Sequence, residues 1–308
     1  MFRYLALAFG LFLALPAHSQ EPVDQALVRA ATDMFTMNDK ARADAIEKLA
    51  ARNKPDIAAP LIELMPFFPG NADRIAEILR QITGADIKTA WFEWMLWQEA
   101  NPQIRPFAGY DTVKARFLGQ INLDFLRFVY PGVASEIRLE EIAWGGLAPD
   151  GIPALVNPKF TPASEGSWLH DNELVFGVSI NGDNRAYPQR IMDWHEMAND
   201  VVGGVPVALA YCTLCGAAIL YETLPQGRVL PFEFGSSGLL YRSNKLMYDR
   251  QSDSLWSQLT GKPVVGKLVG SGLELKPRPV VVTRWQYWRT LHPDTQVLSL
   301  DTGHPQIV

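Results

Sequence analysis

Val205-Pro206-Val207-Ala208-Leu209-Ala210-Tyr211-Cys212-Thr213-Leu214-Cys215-Gly216 is the stretch from which the rest of the chain can be read. Val205 to Tyr211 is apolar and rich in residues that suit a strand, and it delivers Cys212 to a turn. The two cysteines are the whole thiol inventory of 308 residues. At this spacing they can close on each other as a redox disulfide or grip one metal ion together. A bridge over so few residues removes little unfolded-state entropy, so the pair reads as a site rather than a staple. Downstream, Gly216 to Tyr221 fits a helix start or a strand equally well. A thioredoxin-like site would place a helix there, but no alternating β-α order follows.

Working outward, residues 174–180, the turn Asn181-Gly182-Asp183-Asn184 and then Arg185-Ala186-Tyr187 read as a hairpin. Residues 217–221, 229–234, 239–241, 246–248 and 280–283 read as further short strands, and 285–292 as a helix. The mature N-terminal part is different. Ala45, Ile46 and Leu49, then Ile57, Leu61, Ile62 and Met65, then Ile75, Ile78, Leu79 and Ile82 fall at helical spacing. Residues 44–49 are echoed by 73–78, which suggests a small helix-pair array of the HEAT type. Trp91, Trp94 and Trp97 form a stripe read as a packing face. The fold class expected is therefore α+β: a helical, HEAT-like region over 20–100, a loosely patterned connection over 101–135 with one short helix near 112–117, and a mainly antiparallel β domain over 136–308.

Residues 1–19 carry one charge at Arg3, an apolar run from Leu5 to Leu15 and a small-x-small pattern at Ala17 and Ser19. This predicts a secretory signal cleaved after Ser19, hence an exported protein, periplasmic or extracellular, in a compartment that oxidises thiols. No later segment reads as a membrane span. Losing Arg3 takes 28 basic residues to 27 against 33 acidic, a net charge near −6. That argues against nucleic acid as a partner. The partners expected are a redox protein or small molecule, with the N-terminal helices as a surface for a protein.

Four histidines lie beyond the leader: His170, His195, His292 and His304. His195, in Trp194-His195-Glu196-Met197-Ala198-Asn199-Asp200, is the candidate companion of the cysteines. It could accept a thiol proton or ligate a metal; the plainer reading is a hydrogen-bonded structural histidine. Glu196 and Asp200 are acidic companions that could orient the imidazole. Catalytic candidates are thus Cys212, Cys215 and His195 in a thiol-disulfide exchange that needs no cofactor. In the alternative, the same three residues hold copper or zinc. A third reading is a non-catalytic interaction protein. The polar run around Asp249 and Arg250 reads as a turn with those two paired on the surface.

Several motifs occur in order: Arg185-Ala186-Tyr187-Pro188, Trp194-His195-Glu196, Asn199-Asp200, Gly203-Gly204-Val205-Pro206-Val207, Tyr211-Cys212-x-x-Cys215, Phe234-Gly235-x-Ser237-Gly238-Leu239-Leu240-Tyr241, Met247-Tyr248-Asp249-Arg250 and Ser254-Leu255-Trp256-Ser257-Gln258. From about Glu136 onward the chain resembles the bacterial and archaeal family known as domain of unknown function 3179. Some relatives are described as selenoproteins, with selenocysteine at a cysteine of the equivalent motif. That resemblance implies redox chemistry at Cys212 and Cys215, because selenium exchanges fast and ionises easily. The chain departs from the family pattern at Thr213, where Pro is usual. It also stops soon after Asp301-Thr302-Gly303, where relatives continue with an aromatic-rich segment, so the resemblance implies a domain short of its last piece.

Overall fold

The computed structural model describes residues 22–304; the leader read over residues 1–19 lies outside them. Six helices come first: α1 (Gln25–Asp33), α2 (Asp39–Ala50), α3 (Ala58–Leu64), α4 (Ala72–Thr83), α5 (Trp91–Ala100) and α6 (Tyr110–Ile121). Their ends follow local chemistry. The Asp24 carboxylate accepts from the backbone N–H groups of Ala26 and Leu27, and Asn38 Oδ1 from that of Ala41. The helix α6 is longer than the short helix read at 112–117. Tyr110, Val113, Phe117 and Leu118 supply it with a buried face, and the flanking prolines, Pro106 and Pro131, fall outside it. No helix among the described residues is long and apolar enough to cross a membrane.

The rest is strand-rich, as expected of an α+β chain: β1 (Ile142–Trp144), β2 (Leu155–Val156), β3 (Phe160–Pro162), β4 (Leu174–Ile180), β5 (Asp183–Pro188), helix α7 (Gln189–His195), β6 (Met197–Val202), β7 (Val205–Cys212), β8 (Ala217–Glu222), β9 (Phe234–Tyr241), β10 (Asn244–Asp249), β11 (Leu255–Ser257), β12 (Pro263–Val265), β13 (Lys276–Arg278), β14 (Val281–Arg284), helix α8 (Trp285–Leu291) and β15 (Gln296–Leu298). They form three sheets, in the orders β1-β9-β10-β11-β12, β13-β8-β7-β6-β2 and β14-β4-β5-β15-β3. Pairing is antiparallel except for β2 with β6 and β5 with β15. The β4–β5 hairpin turns on Asn181 and Gly182 alone, both at positive φ (50° and 82°), the combination that a two-residue turn of matching twist requires. The strand read at 229–234 begins only at Phe234. Val229 and Leu230 are exposed and Pro231 has no N–H to offer a ladder.

Alternation along β7 explains how the layers stack. Val207, Leu209 and Tyr211 pack toward the third sheet, while Ala208 and Ala210 pack with Met247, Phe234 and Trp256 of the first. The other face of the first sheet, through Ile142, Leu239, Leu246 and Tyr248, shares one core with the helices. Helices, first sheet, second sheet and third sheet therefore follow in that order. By the same alternation Cys212 falls on the Ala208–Ala210 side, facing the first sheet.

Candidate functional site

Cys212 is the last residue of β7 and pairs with Ala217, the first of β8. Residues 213–216 make the turn between them. The segment after the cysteines is therefore a strand, which resolves the choice left open by the sequence. The two sulfurs are joined in a disulfide, with the Cα atoms 5.6 Å apart. Cys212 is 2% exposed, whereas Cys215 stands exposed in the turn beside Thr213 and Leu214. One sulfur is open to an approaching group and the other is held in the protein.

No helix begins at these cysteines, so no helix terminus is there to favour a thiolate. A buried lysine is. Lys245, 4% exposed on β10, donates to the Glu196 carboxylate and to the Glu196 carbonyl, each at 3.1 Å, and reaches the carbonyl of Tyr211 at 3.5 Å. Burial pushes the Lys245 pKa down, and the Glu196 carboxylate pushes back. Glu196 has left-handed backbone (φ 54°) just after α7. Its carbonyl accepts from the Tyr211 N–H at 2.8 Å and its carboxylate from the Thr213 hydroxyl at 2.8 Å. The strand entering the turn and the turn itself are thus tied to one ion pair.

The opposite side of the turn rests on amides. Gln258, fully buried, donates through Nε2 to the carbonyls of Ala210 and Ala217 at 2.9 Å, clamping β7 to β8 below the cysteines. Asn244 Nδ2 lies 3.1 Å from Cys215 Sγ and 3.1 Å from Gln258 Oε1. Between the turn and β9 is a cavity of about 50 Å³, whose walls include Cys212, Leu214, Glu196, Lys245 and Ser236. Ser236 Oγ is buried without a hydrogen-bond partner.

His195 ends α7 and is 4% exposed. Its Nδ1 lies 2.8 Å from the Pro153 carbonyl, which can only accept, so Nδ1 carries the proton and Nε2 the lone pair. Its ring sits 5.4 Å from that of His304. Burial lowers its pKa, the Pro153 bond raises it and His304 lowers it further. Among the described residues no hydrogen bond joins His195 to either sulfur; the next residue, Glu196, makes the connection to the turn. Asp200 does not orient the imidazole. It takes two bonds from Arg185 Nη1 at 2.8 Å and one from the Tyr187 hydroxyl at 2.6 Å. Asp249 is not paired with Arg250 at the surface either: it is fully buried, holding Ser252 and the Trp256 indole, while Arg250 pairs with Asp150 and Glu233. Among the described residues no three of His, Cys, Asp or Glu are grouped to hold a metal ion.

Lys245 was missed by sequence reasoning, because a lysine two residues beyond the Arg242–Ser243 turn reads as a solvated hairpin edge. The signal available was its place in the strand Asn244–Asp249, directly before the core residues Leu246, Met247 and Tyr248.

Compared with known proteins, residues 149–306 match a family model described as "Protein of unknown function (DUF3179)", which spans about half of the chain and the whole cysteine turn. No curated protein and no solved structure matches.

Proposed function

The chain belongs to the DUF3179 family, and from that premise we propose that it is an exported redox protein whose Cys212–Cys215 disulfide exchanges with a dithiol partner. One observation carries the reading: a disulfide at the tip of a hairpin, with Cys215 exposed and Cys212 buried beside the Lys245–Glu196 pair. An incoming thiolate attacks the exposed Cys215 sulfur. A partner–Cys215 bond forms as the Cys212–Cys215 bond breaks, and the electron pair leaves on Cys212. The Lys245 ammonium favours that negative charge in a site shielded from water. The partner's second thiol then attacks its own sulfur in the mixed disulfide and releases Cys215. The partner loses two electrons and two protons, and the protons end on Cys212 and Cys215. His195, with its lone pair on Nε2, can take part only by moving a proton through an intervening group.

The test is a redox titration with alkylation by a maleimide. Label should enter only after mild reduction, with a reversible midpoint between about −120 and −270 mV, the range of known exchange proteins. A pair that stays reduced in air, or that resists reduction until the protein unfolds, ends the proposal. A second reading rests on the 5.6 Å Cα separation, which lets the reduced pair hold one thiophilic ion. Among the described residues no third ligand is grouped with the two sulfurs, an arrangement that suits copper(I) better than tetrahedral zinc. Stoichiometric metal on the reduced protein, lost in Cys212→Ser, would favour it.

A further inference from the structure

In a disulfide exchange through Cys215 two sulfurs depart in turn, and Lys245 stands beside only the first. When a partner thiolate attacks Cys215 Sγ, the electron pair leaves on Cys212, beside the Lys245–Glu196 pair. When the partner's second thiol resolves the mixed disulfide, the pair leaves on Cys215 instead, in the exposed turn. The neighbouring cations are bound elsewhere, Lys245 to Glu196 and Arg242 to Glu141. What the structure places on Cys215 Sγ is an amide, Asn244 Nδ2, at 3.1 Å.

Which way that amide points is fixed from behind. Gln258 is fully buried, and its side-chain amide lies 2.9 Å from the carbonyls of both Ala210 and Ala217. Carbonyls only accept, so the Gln258 NH2 group meets both, and Oε1 is left facing Asn244 at 3.1 Å. Oε1 also only accepts, so Asn244 presents its nitrogen. One Nδ2 hydrogen goes to Gln258, and the second is free for the sulfur. The backbone is held as well. Asn244 opens β10 directly after Arg242 and Ser243, a two-residue turn with both φ positive (46° and 63°), and pairs with Tyr241 across it. A donor set in place before the reaction needs no reorganisation when charge appears on the sulfur.

We propose that Asn244 is a catalytic residue of the exchange, whose N–H stabilises the Cys215 thiolate as it leaves the mixed disulfide. In that step the partner's second sulfur bonds to its first and the partner–Cys215 bond breaks. The electron pair passes to Cys215 Sγ, where Asn244 donates to it, and the proton lost by the partner's thiol then neutralises Cys215. In the return reaction Cys212 attacks Cys215 Sγ and expels the partner's thiolate. Cys215 is then the central sulfur, on which little charge gathers, and the Asn244 bond gives no advantage. Asn244 thus biases the mixed disulfide towards release of oxidised partner. This role rests on the exchange reading of the cysteine pair.

Alkylation of the reduced protein by iodoacetamide across pH, followed at Cys215 by mass spectrometry, tests it in the wild type, Asn244→Leu and Asn244→Asp. The pH midpoint for Cys215 should rise by about one unit in Asn244→Leu, the worth of one hydrogen bond to a charged acceptor in part-exposed surroundings. It should rise further in Asn244→Asp, whose carboxylate repels the thiolate. After rapid acid quench of a reaction with dithiothreitol, the Cys215 mixed disulfide should last about threefold longer in Asn244→Leu than in the wild type. An unchanged midpoint in folded Asn244→Leu, an Asn244→Asp midpoint no higher than the wild type's, or a mixed disulfide that resolves at the wild-type rate would each overturn the proposal. Either variant suffices if the other does not fold. A wild type that does not exchange with dithiothreitol ends the exchange reading and this role with it. The alkylation shift, which needs no partner, tells that outcome apart from failure of the Asn244 contact.

Discussion

Two cavities back onto the turn at residues 145–151, and they are built in opposite ways. The one beside the disulfide is small, about 50 Å³, with a buried charge pair in its wall: Lys245 faces Glu196. The one behind β1 is about 390 Å³ and aromatic; its wall holds Glu63, engaged by Lys114, and Glu140, whose Oε1 is buried without a hydrogen-bond partner. Burial acts differently in each. At the disulfide it strengthens a cation's hold on a developing thiolate. Behind β1 it leaves a neutral donor, the Trp91 N–H, without a partner. The first arrangement suits bond exchange.

Removing one sulfur should test the first most completely. Cys215→Ser should abolish exchange with a small dithiol, to background. Stability should fall by only about 2 kcal/mol, because the loop closed is so short. Chemical denaturation of the oxidised wild type and the variant measures that difference. A loss much beyond it would mean that the disulfide is structural.

Lys245→Met is the next largest. It leaves the Glu196 carboxylate buried without its cation, and removing one partner of such a pair costs about 3–5 kcal/mol. Glu196→Gln added to it should restore most of that loss. In the double variant the reduced pair loses the ammonium near Cys212. Its midpoint should become more negative by on the order of 30 mV, equivalent to ~1.4 kcal/mol. An unchanged midpoint would remove Lys245 from the redox reading.

How far these two regions could be read from the chain follows from how they are assembled. The cysteine turn is local: its strand, its thiols and Glu196 lie within Glu196–Gly216, so period-2 alternation and spacing expose it. The strand after it was not decidable, since Ala217, Ala218, Ile219 and Leu220 suit either state. What settles it is tertiary, namely the pairing of β8 with β7 and β13 and the Gln258 clamp. The aromatic pocket is non-local. Trp91, Trp94 and Trp97 were legible as a packing stripe, and Trp94 is indeed fully buried. Nothing in the stripe shows that Trp91 would line a pocket with Phe67 and Trp144, because that depends on where β1 docks on the helices. His195 was chosen by its distance along the chain. The left-handed backbone at the next residue carries the chain back from α7 into β6, and Glu196 is the one that reaches the turn.

Gly238 tests whether the wall common to both cavities matters. Its φ is +76°, and its carbonyl accepts from the Gly145 N–H at 2.8 Å. A Cβ there would lie 2.4 Å from the Leu147 carbonyl oxygen. Gly238→Ala should cost about 2–4 kcal/mol, from the left-handed backbone and the displaced turn together. It should also impair dithiol exchange, because the displaced turn borders the cavity beside Cys212. A folded variant that keeps wild-type exchange would show that the cysteine cavity does not depend on this turn.

The smallest effect is expected just past that turn, at Pro153, where His195 Nδ1 is bonded. Burial holds the folded His195 pKa below its ordinary 6.5. In the window between the two values the unfolded chain binds more protons, so stability rises with pH there. The wild type should therefore lose stability as pH falls below about 6.5 and level off once the folded imidazole is also protonated. His195→Gln keeps a donor for the Pro153 carbonyl but cannot titrate. Its stability should lack that part of the slope, and the rate of dithiol exchange at pH 7.5 should stay close to wild type if His195 only anchors the wall. A large fall in that rate with the slope unchanged would instead return His195 to the chemistry, as a base acting on the cysteines through Glu196 or water.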